Sequence, residues 1–135
     1  MADRWPYRLE IVNQVSKAKI RLFPPGPALH IKVSFQGSHT TIPAKLDTGS
    51  DFTTIPHYSA LSLKLIKFDE QPIGGALGGS EVRPVFKADL EFMGFSILNH
   101  PLISLEKKEY MLIGRDILNE YITLLHGRDL QFTVE

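Results

Sequence analysis

The clearest periodicity in the chain begins at residue 29, where apolar and polar residues alternate as far as residue 35. Alternation with a period of two predicts a strand that buries one face. Residues 36–39 (Gln-Gly-Ser-His) predict a turn, and residues 40–46 predict a second strand. This hairpin would place Asp47 at the end of a strand, followed by Thr48-Gly49-Ser50.

The rest of the chain also divides into short segments. Strands are predicted at residues 52–56, 82–90, 91–98, 122–125 and 130–134, and helices at residues 58–65 and 115–121; residues 110–113 form an apolar run that ends at Gly114. Only the helix at 115–121 has a clear apolar face, which is formed by Ile117, Leu118 and Tyr121. Many short strands with little helix predict an all-β domain, closed or folded from antiparallel strands.

The first 28 residues show no clean periodicity. They end near Pro24-Pro25-Gly26-Pro27, which can continue neither a helix nor a central strand. We therefore expect an N-terminal arm at residues 1–28 and one domain at residues 29–135, a length sufficient to bury a core.

Composition removes several classes of function. Basic and acidic residues number 15 each, so the net charge is zero and no nucleic-acid or anionic-membrane partner is indicated. Without cysteine, the chain has neither disulfides nor a thiolate nucleophile. The five histidines lack metal-ligand spacing, so no metal or cofactor is expected. No apolar run reaches the length of a membrane span, and we expect a cytoplasmic protein.

The candidate chemistry lies in Asp47-Thr48-Gly49. Hydrolysis of a peptide bond needs an activated water and a proton for the leaving amine, and two carboxylates that share one proton can supply both. Gly49 would leave room for substrate beside Asp47, and Ser50 would bring a hydroxyl close to the carboxylate. By itself, however, Asp-Thr-Gly is also an ordinary turn sequence.

Two further motifs follow in order. Residues 73–79 (Ile-Gly-Gly-Ala-Leu-Gly-Gly) are rich in glycine, and residues 112–118 (Leu-Ile-Gly-Arg-Asp-Ile-Leu) join an apolar run to the predicted helix. Together with residues 46–51 (Leu-Asp-Thr-Gly-Ser-Asp), these motifs resemble, over residues 29–135, those of the retropepsins, the retroviral-type aspartic proteases. The closest resemblance is to bacterial stand-alone members.

The resemblance implies a role for individual residues. Asp47 would be the catalytic carboxylate, Gly49 and Asp51 would bind the substrate backbone, and Tyr110 and Leu112 would line side-chain pockets. The glycine-rich segment would form a flap that closes over the peptide through Gly75, Ala76, Leu77 and Gly78. Thr48, Ser50, Gly114 and Arg115 would support the site, with Arg115 paired to Asp51.

The chain contains one Asp-Thr-Gly and therefore supplies one carboxylate of the pair. The resemblance accordingly implies a homodimer that cleaves peptide or protein substrates, with residues 130–134 as the candidate interface or an internal edge strand. The flap departs from the retroviral pattern in having Ala76-Leu77 between its glycine pairs. The alternative is a peptide-binding or dimerisation module with the same fold and no turnover. The arm could be a removable prosegment or could occupy the cleft.

Overall fold

The computed structural model describes residues 4–74 and 79–135. Most of these residues lie in strands: β1 (Trp5–Pro6), β2 (Arg8–Val12), β3 (Lys19–Gly26), β4 (Ala28–Phe35), β5 (Ser38–Leu46), β6 (Thr54–Pro56), β7 (Lys67–Gly74), β8 (Ser80–Phe92), β9 (Phe95–Leu105), β10 (Met111–Ile113), β11 (Thr123–His126) and β12 (Gln131–Val134). The helices are α1 (His57–Ser62) and α2 (Arg115–Leu118), and a 3-10 turn spans Gly127–Asp129. The all-β prediction is confirmed.

The main sheet has the strand order β10-β5-β4-β8-β9-β6, and β7 pairs with β8 outside this path. Most neighbours are antiparallel, as the sequence predicted. Two pairs are parallel, however: β10 with β5, and β6 with β9. Both parallel pairs lie beside the Asp47 loop, because β5 leads into that loop and β6 leaves it.

The alternating pattern of β4 produces the core. Leu29, Ile31 and Val33 are buried, and Ile42 and Ala44 of the paired β5 lie in the same cluster. The predicted hairpin and its buried face are therefore correct. None of the helices in the described part of the chain is long and apolar enough to cross a membrane.

The N-terminal residues are more ordered than the sequence suggested. β2 and β3 form a hairpin, and β3 runs through Pro24 and Pro25 instead of ending before them. The turn of this hairpin contacts the main domain through the buried Asn13, whose side-chain amide donates to the Glu109 carbonyl at 2.9 Å and to the Tyr58 hydroxyl. The expected arm is thus attached by specific hydrogen bonds.

β12 is the central strand of a second, three-stranded sheet with the order β1-β12-β11. It pairs with β1 through Trp5 and Phe132, and with β11 along its whole length. β11 covers one backbone edge of β12 completely, and β1 covers the other at Gln131 and Phe132. The strand is therefore internal to this sheet, not the edge strand that the sequence analysis considered at residues 130–134, and its role in a dimer interface stays a prediction.

The predicted helix at residues 115–121 is shorter in the structure. The α-helix ends at Leu118, and the next turn tightens because the amides of Glu120 and Tyr121 bond to carbonyls three residues back. The predicted apolar face is nevertheless right, since Ile117 and Leu118 are buried and Tyr121 packs against the core. The other predicted helix begins at His57 and ends at Ser62 instead of spanning 58–65.

Candidate active site

Asp47 occupies the first position after β5. Its amide donates to the Ile113 carbonyl at 3.0 Å, which extends the parallel pairing of β5 with β10 by one residue. The chain then turns back: the Ser50 amide donates to the Asp47 carbonyl at 3.1 Å, and the Gly49 amide donates to the Asp47 carboxylate at 2.9 Å. The carboxylate is therefore oriented by an amide of its own loop, which is a common function of aspartate in turns.

The loop after Asp47 packs closely against the start of α2. The Arg115 amide donates to the Ser50 carbonyl at 2.9 Å, and the Arg115 side chain forms the expected ion pair with Asp51. At Gly114, a Cβ atom would lie 2.5 Å from the carbonyl carbon and oxygen of Phe52, which is far inside van der Waals contact. Only glycine allows the two backbone segments to approach this closely.

The Asp116 carboxylate is hydrogen-bonded to Thr53, at the C-terminal end of the same loop. Its oxygens accept hydrogen bonds from the Thr53 amide at 3.0 Å and the Thr53 hydroxyl at 2.8 Å. A third donor is Nε2 of His100, at 2.9 Å. Burial alone would raise the pKa of the Asp116 carboxyl, but the hydrogen bonds from His100 and Thr53 outweigh it and hold this pKa below its usual value.

A cavity of about 450 Å³ opens above Asp47. Its floor is the Asp47 loop, and its other walls come from β6, β7, β9 and β10. The lining residues outside the loop are Thr54, Gln71, Pro72, Ile73, Gly74, Ile103, Leu105 and Leu112. A volume of this size is typical of ligand sites, and its mixture of apolar side chains with a few polar groups is typical as well.

The structure brings several of the sequence-derived residues together at this cavity: Asp47, Gly49, Ser50, Asp51 and Leu112. Tyr110 lies elsewhere, packed against the small cluster formed by Ile11 and Leu22 of the N-terminal hairpin. The hydroxyl of Ser50 donates to the Phe52 carbonyl at 2.7 Å, so it is bonded to the loop backbone instead of to Asp47. Gly75, Ala76, Leu77 and Gly78, expected at the flap tip, fall outside the described residues.

Three residues near the site were missed by sequence reasoning, and Arg83 is one of them. Its guanidinium is buried and donates from Nε to the Ser104 carbonyl at 2.9 Å, which holds the part of β9 between the two cavity-lining residues of that strand. Glu106 balances its charge at 3.2 Å. The other two are Thr53 and His100. Of the three, Arg83 alone could have been noticed in the sequence, because it is a charged residue next to the apolar residues of a predicted strand.

Among residues 4–74 and 79–135, no group of three or more histidine, aspartate or glutamate side chains has the arrangement of a metal site.

Comparison with known proteins gives matches to solved structures only. No family model matches the chain, and no curated protein does. A retropepsin-like aspartic protease from Rickettsia conorii aligns with 99% of this chain and 95% of its own, at 13% identity and a TM-score of 0.58. The EIAV protease bound to an inhibitor aligns over 70% of this chain and 86% of its own, at 21% identity and a TM-score of 0.55.

The foamy viral protease–reverse transcriptase aligns at 19% identity and a TM-score of 0.53; this match covers 71% of the chain but 12% of the viral protein. These identities are low, so the likeness concerns the fold. The matched proteases share the β architecture described above. The chain therefore has a retropepsin-like aspartic protease fold.

Proposed function

We propose that the protein is an aspartic endopeptidase that acts as a homodimer, with one Asp47 from each subunit. The observation that carries this proposal is the position of the Asp47 carboxylate on the floor of the 450 Å³ cavity. It is oriented there by the Gly49 amide. The likeness to solved retropepsins supports the fold on which the proposal depends.

Among the described residues that line this cavity, Asp47 carries the one carboxylate that is not in an ion pair. Asp51 is the other acidic residue among those that line it, and its carboxylate is paired with Arg115. Activation of water between two carboxylates therefore needs Asp47 from a second copy, and a two-fold axis beside the Asp47 loop would supply it.

The proposed reaction is hydrolysis. The ionised Asp47 accepts a proton from a water molecule as the water oxygen bonds to the carbonyl carbon of the substrate. The protonated Asp47 of the other subunit donates its proton to the carbonyl oxygen. When the C–N bond breaks, the leaving nitrogen takes the proton from the carboxyl group that had accepted it from water. A hydroxyl of the tetrahedral intermediate returns a proton to the other carboxylate, so that the two carboxylates again share one proton.

The substrate would be an extended peptide, held between the Asp47 loop and β7. The backbone of Gly49 and Asp51 on the floor, and that of β7 above, offer main-chain hydrogen bonds of the kind used in strand addition. The walls contributed by Ile103, Leu105 and Leu112 are apolar. We therefore expect apolar substrate side chains next to the cleaved bond, because they would lose contact with water there.

The dimer interface is proposed at β11. This strand forms one side of the three-stranded sheet, and its outward backbone edge is not paired with any strand in the described part of the chain. Leu124 and Leu125 on β11 are 49% and 58% exposed, and Ile122 just before it is 61% exposed. An edge strand with exposed apolar residues readily pairs with a copy of itself.

The interface is tested by light scattering coupled to size exclusion. Leu125→Lys places a charge in the proposed contact, and we expect it to shift the protein toward monomer with a parallel loss of cleavage. Leu98→Lys is the matched control, because Leu98 is 76% exposed on β9, outside this sheet. A Leu125→Lys protein with wild-type dimerisation would exclude β11 as the interface.

Catalysis is tested with Asp47→Asn and a library of peptides, assayed from acid to neutral pH. The substitution keeps the size of the side chain but removes the proton acceptor, so cleavage should fall to background while folding is retained. Asp89→Asn is the matched control at an exposed position of β8. Cleavage by Asp47→Asn at the wild-type rate would refute the proposal.

The second candidate is a peptide-binding module without turnover. It is favoured by the presence of a single free carboxylate at the cavity of one chain, since a monomer of this kind would bind peptide and leave it intact. A wild-type protein that binds library peptides but yields no Asp47-dependent products at any pH would support this candidate over the endopeptidase.

A further inference from the structure

The hydrogen bonds around Asp116 reach beyond the motifs that the sequence displays. One carboxylate oxygen accepts from the Thr53 hydroxyl and from the amide of Ile117 in α2, and the other accepts from the Thr53 amide and from His100. The Thr53 hydroxyl also accepts from the Gly114 amide at 3.1 Å, and Thr53 is completely buried. Asp116 thus ties the end of the catalytic loop to the start of α2 at a point away from solvent.

Within the described part of the chain, His100 provides the one bond to this carboxylate from outside the loop and α2. It lies in β9, opposite Ala88 of β8, and its side chain is 15% exposed. An ionised carboxylate accepts but does not donate, so Nε2 of His100 carries the hydrogen whether the ring is neutral or charged. The contact is therefore a charge-assisted hydrogen bond in either state, and such bonds are stronger than neutral ones.

β9 links His100 to the wall of the cavity. The strand carries Ile103 and Leu105 into the cavity wall, and it pairs with β8, which is in turn the partner of β7. His100 does not line the cavity itself. Its bond to Asp116 therefore connects the strand that forms the wall of the cleft to the loop that holds Asp47.

We propose that His100 is a positioning residue for the catalytic loop, acting through Asp116 and Thr53. This inference rests on the proposed function of Asp47. Without the His100 donor, one oxygen of a half-buried carboxylate loses a partner, and the Asp116–Thr53 pair becomes free to shift. The loop that carries Asp47 then loses its fixed distance from the cleft wall, which affects the chemical step more than the binding of peptide.

The test compares His100→Leu with His100→Gln. Leucine removes the donor, whereas the glutamine amide reaches a similar distance and donates without charge. For His100→Leu we expect kcat to fall about 10- to 100-fold, as for a reacting group misplaced by a fraction of an ångström, and KM to change less than twofold. His100→Gln should recover most of kcat. The control His39→Leu, at an exposed histidine, should match the wild type.

A second readout does not depend on activity. Hydrogen exchange of the Thr53 and Gly114 amides reports whether their hydrogen bonds open. Both amides should exchange about tenfold faster in His100→Leu and return toward the wild-type rate in His100→Gln.

The outcomes separate the two proposals. If wild-type protein cleaves nothing, the proposed function fails, while amide exchange still decides the role of His100. Wild-type kcat in His100→Leu, an equal loss of kcat in both variants, or unchanged exchange of the Thr53 amide would overturn the positioning role.

Discussion

Gly114→Ala is the substitution for which the structure makes the sharpest prediction. The added methyl group would lie 2.5 Å from the carbonyl carbon and oxygen of Phe52 and 2.9 Å from its nitrogen. These are backbone atoms, so no side-chain rotation can relieve the overlap. To reach ordinary contact at 3.4 Å, the two segments must separate by about 0.9 Å.

The cost of that separation has two parts. Overpacking of this kind typically costs about 1–3 kcal/mol. The bond from the Gly114 amide to the Thr53 hydroxyl, now 3.1 Å, would be stretched beyond hydrogen-bonding range and would cost about 1 kcal/mol more. We therefore expect the free energy of unfolding to fall by about 2–4 kcal/mol. Displacement of Phe52 would also shift the adjacent Asp47 loop, so kcat should fall about 100-fold.

The assay is urea denaturation at a fixed protein concentration, combined with peptide cleavage by the fraction that remains folded. Gly127→Ala is the matched control, since a Cβ at Gly127 would meet nothing within 4 Å. It should leave both stability and cleavage within error of the wild type. A Gly114→Ala protein with wild-type stability would refute the reasoning, because it would mean that the loop and α2 do not pack as tightly as described.

Three further predictions follow from other parts of the molecule. Burial and the nearby Arg8 charge hold the pKa of His30 below its ordinary 6.5, so the unfolded chain binds more protons there and the stability of the folded protein falls as the pH drops through 6.5. In His30→Gln, the melting temperature should depend less on pH in this range, and an unchanged pH dependence would contradict the prediction. Asn13→Ala should cost about 2–4 kcal/mol in urea unfolding, because the buried side chain also accepts from two amides of its turn at 2.9 Å, whereas Gln14→Ala should cost almost nothing. Arg115→Ala should cost less than about 1 kcal/mol in the same assay, because its ion pair with Asp51 is half-exposed, and a larger loss would indicate a structural role beyond that pair.

Several features of the fold could be read from the sequence because their signals are local. The period-two alternation of residues 29–35 reports which side of one strand meets the core, and the turn residues that follow define the hairpin. These signals were sufficient to place Asp47 at the end of a strand. The three motifs in order indicated the retropepsin-like fold through resemblance, although no single motif would have done so.

The N-terminal hairpin was missed for a physical reason. Its buried residues, Ile11 and Leu22, form a cluster with Ala28. Each strand alternates polar and apolar residues over only four positions, residues 8–11 and 19–22, which is the shortest stretch that indicates a strand. The proline-rich stretch also predicted a break, but proline is tolerated in β3 because that strand is paired on one side only, with β2.

By itself, the sequence determined the strand-rich class, the hairpin that ends at Asp47 and the presence of a single Asp-Thr-Gly, on which the proposal of a homodimer depends. Tertiary structure alone decided that Gly114 touches the backbone of Phe52, that His100 bonds to Asp116 and that β12 is enclosed between β1 and β11. Such contacts join residues that are far apart along the chain. Their existence depends on sheet order and register, which are properties of the whole packed domain and leave no periodic mark in any one segment.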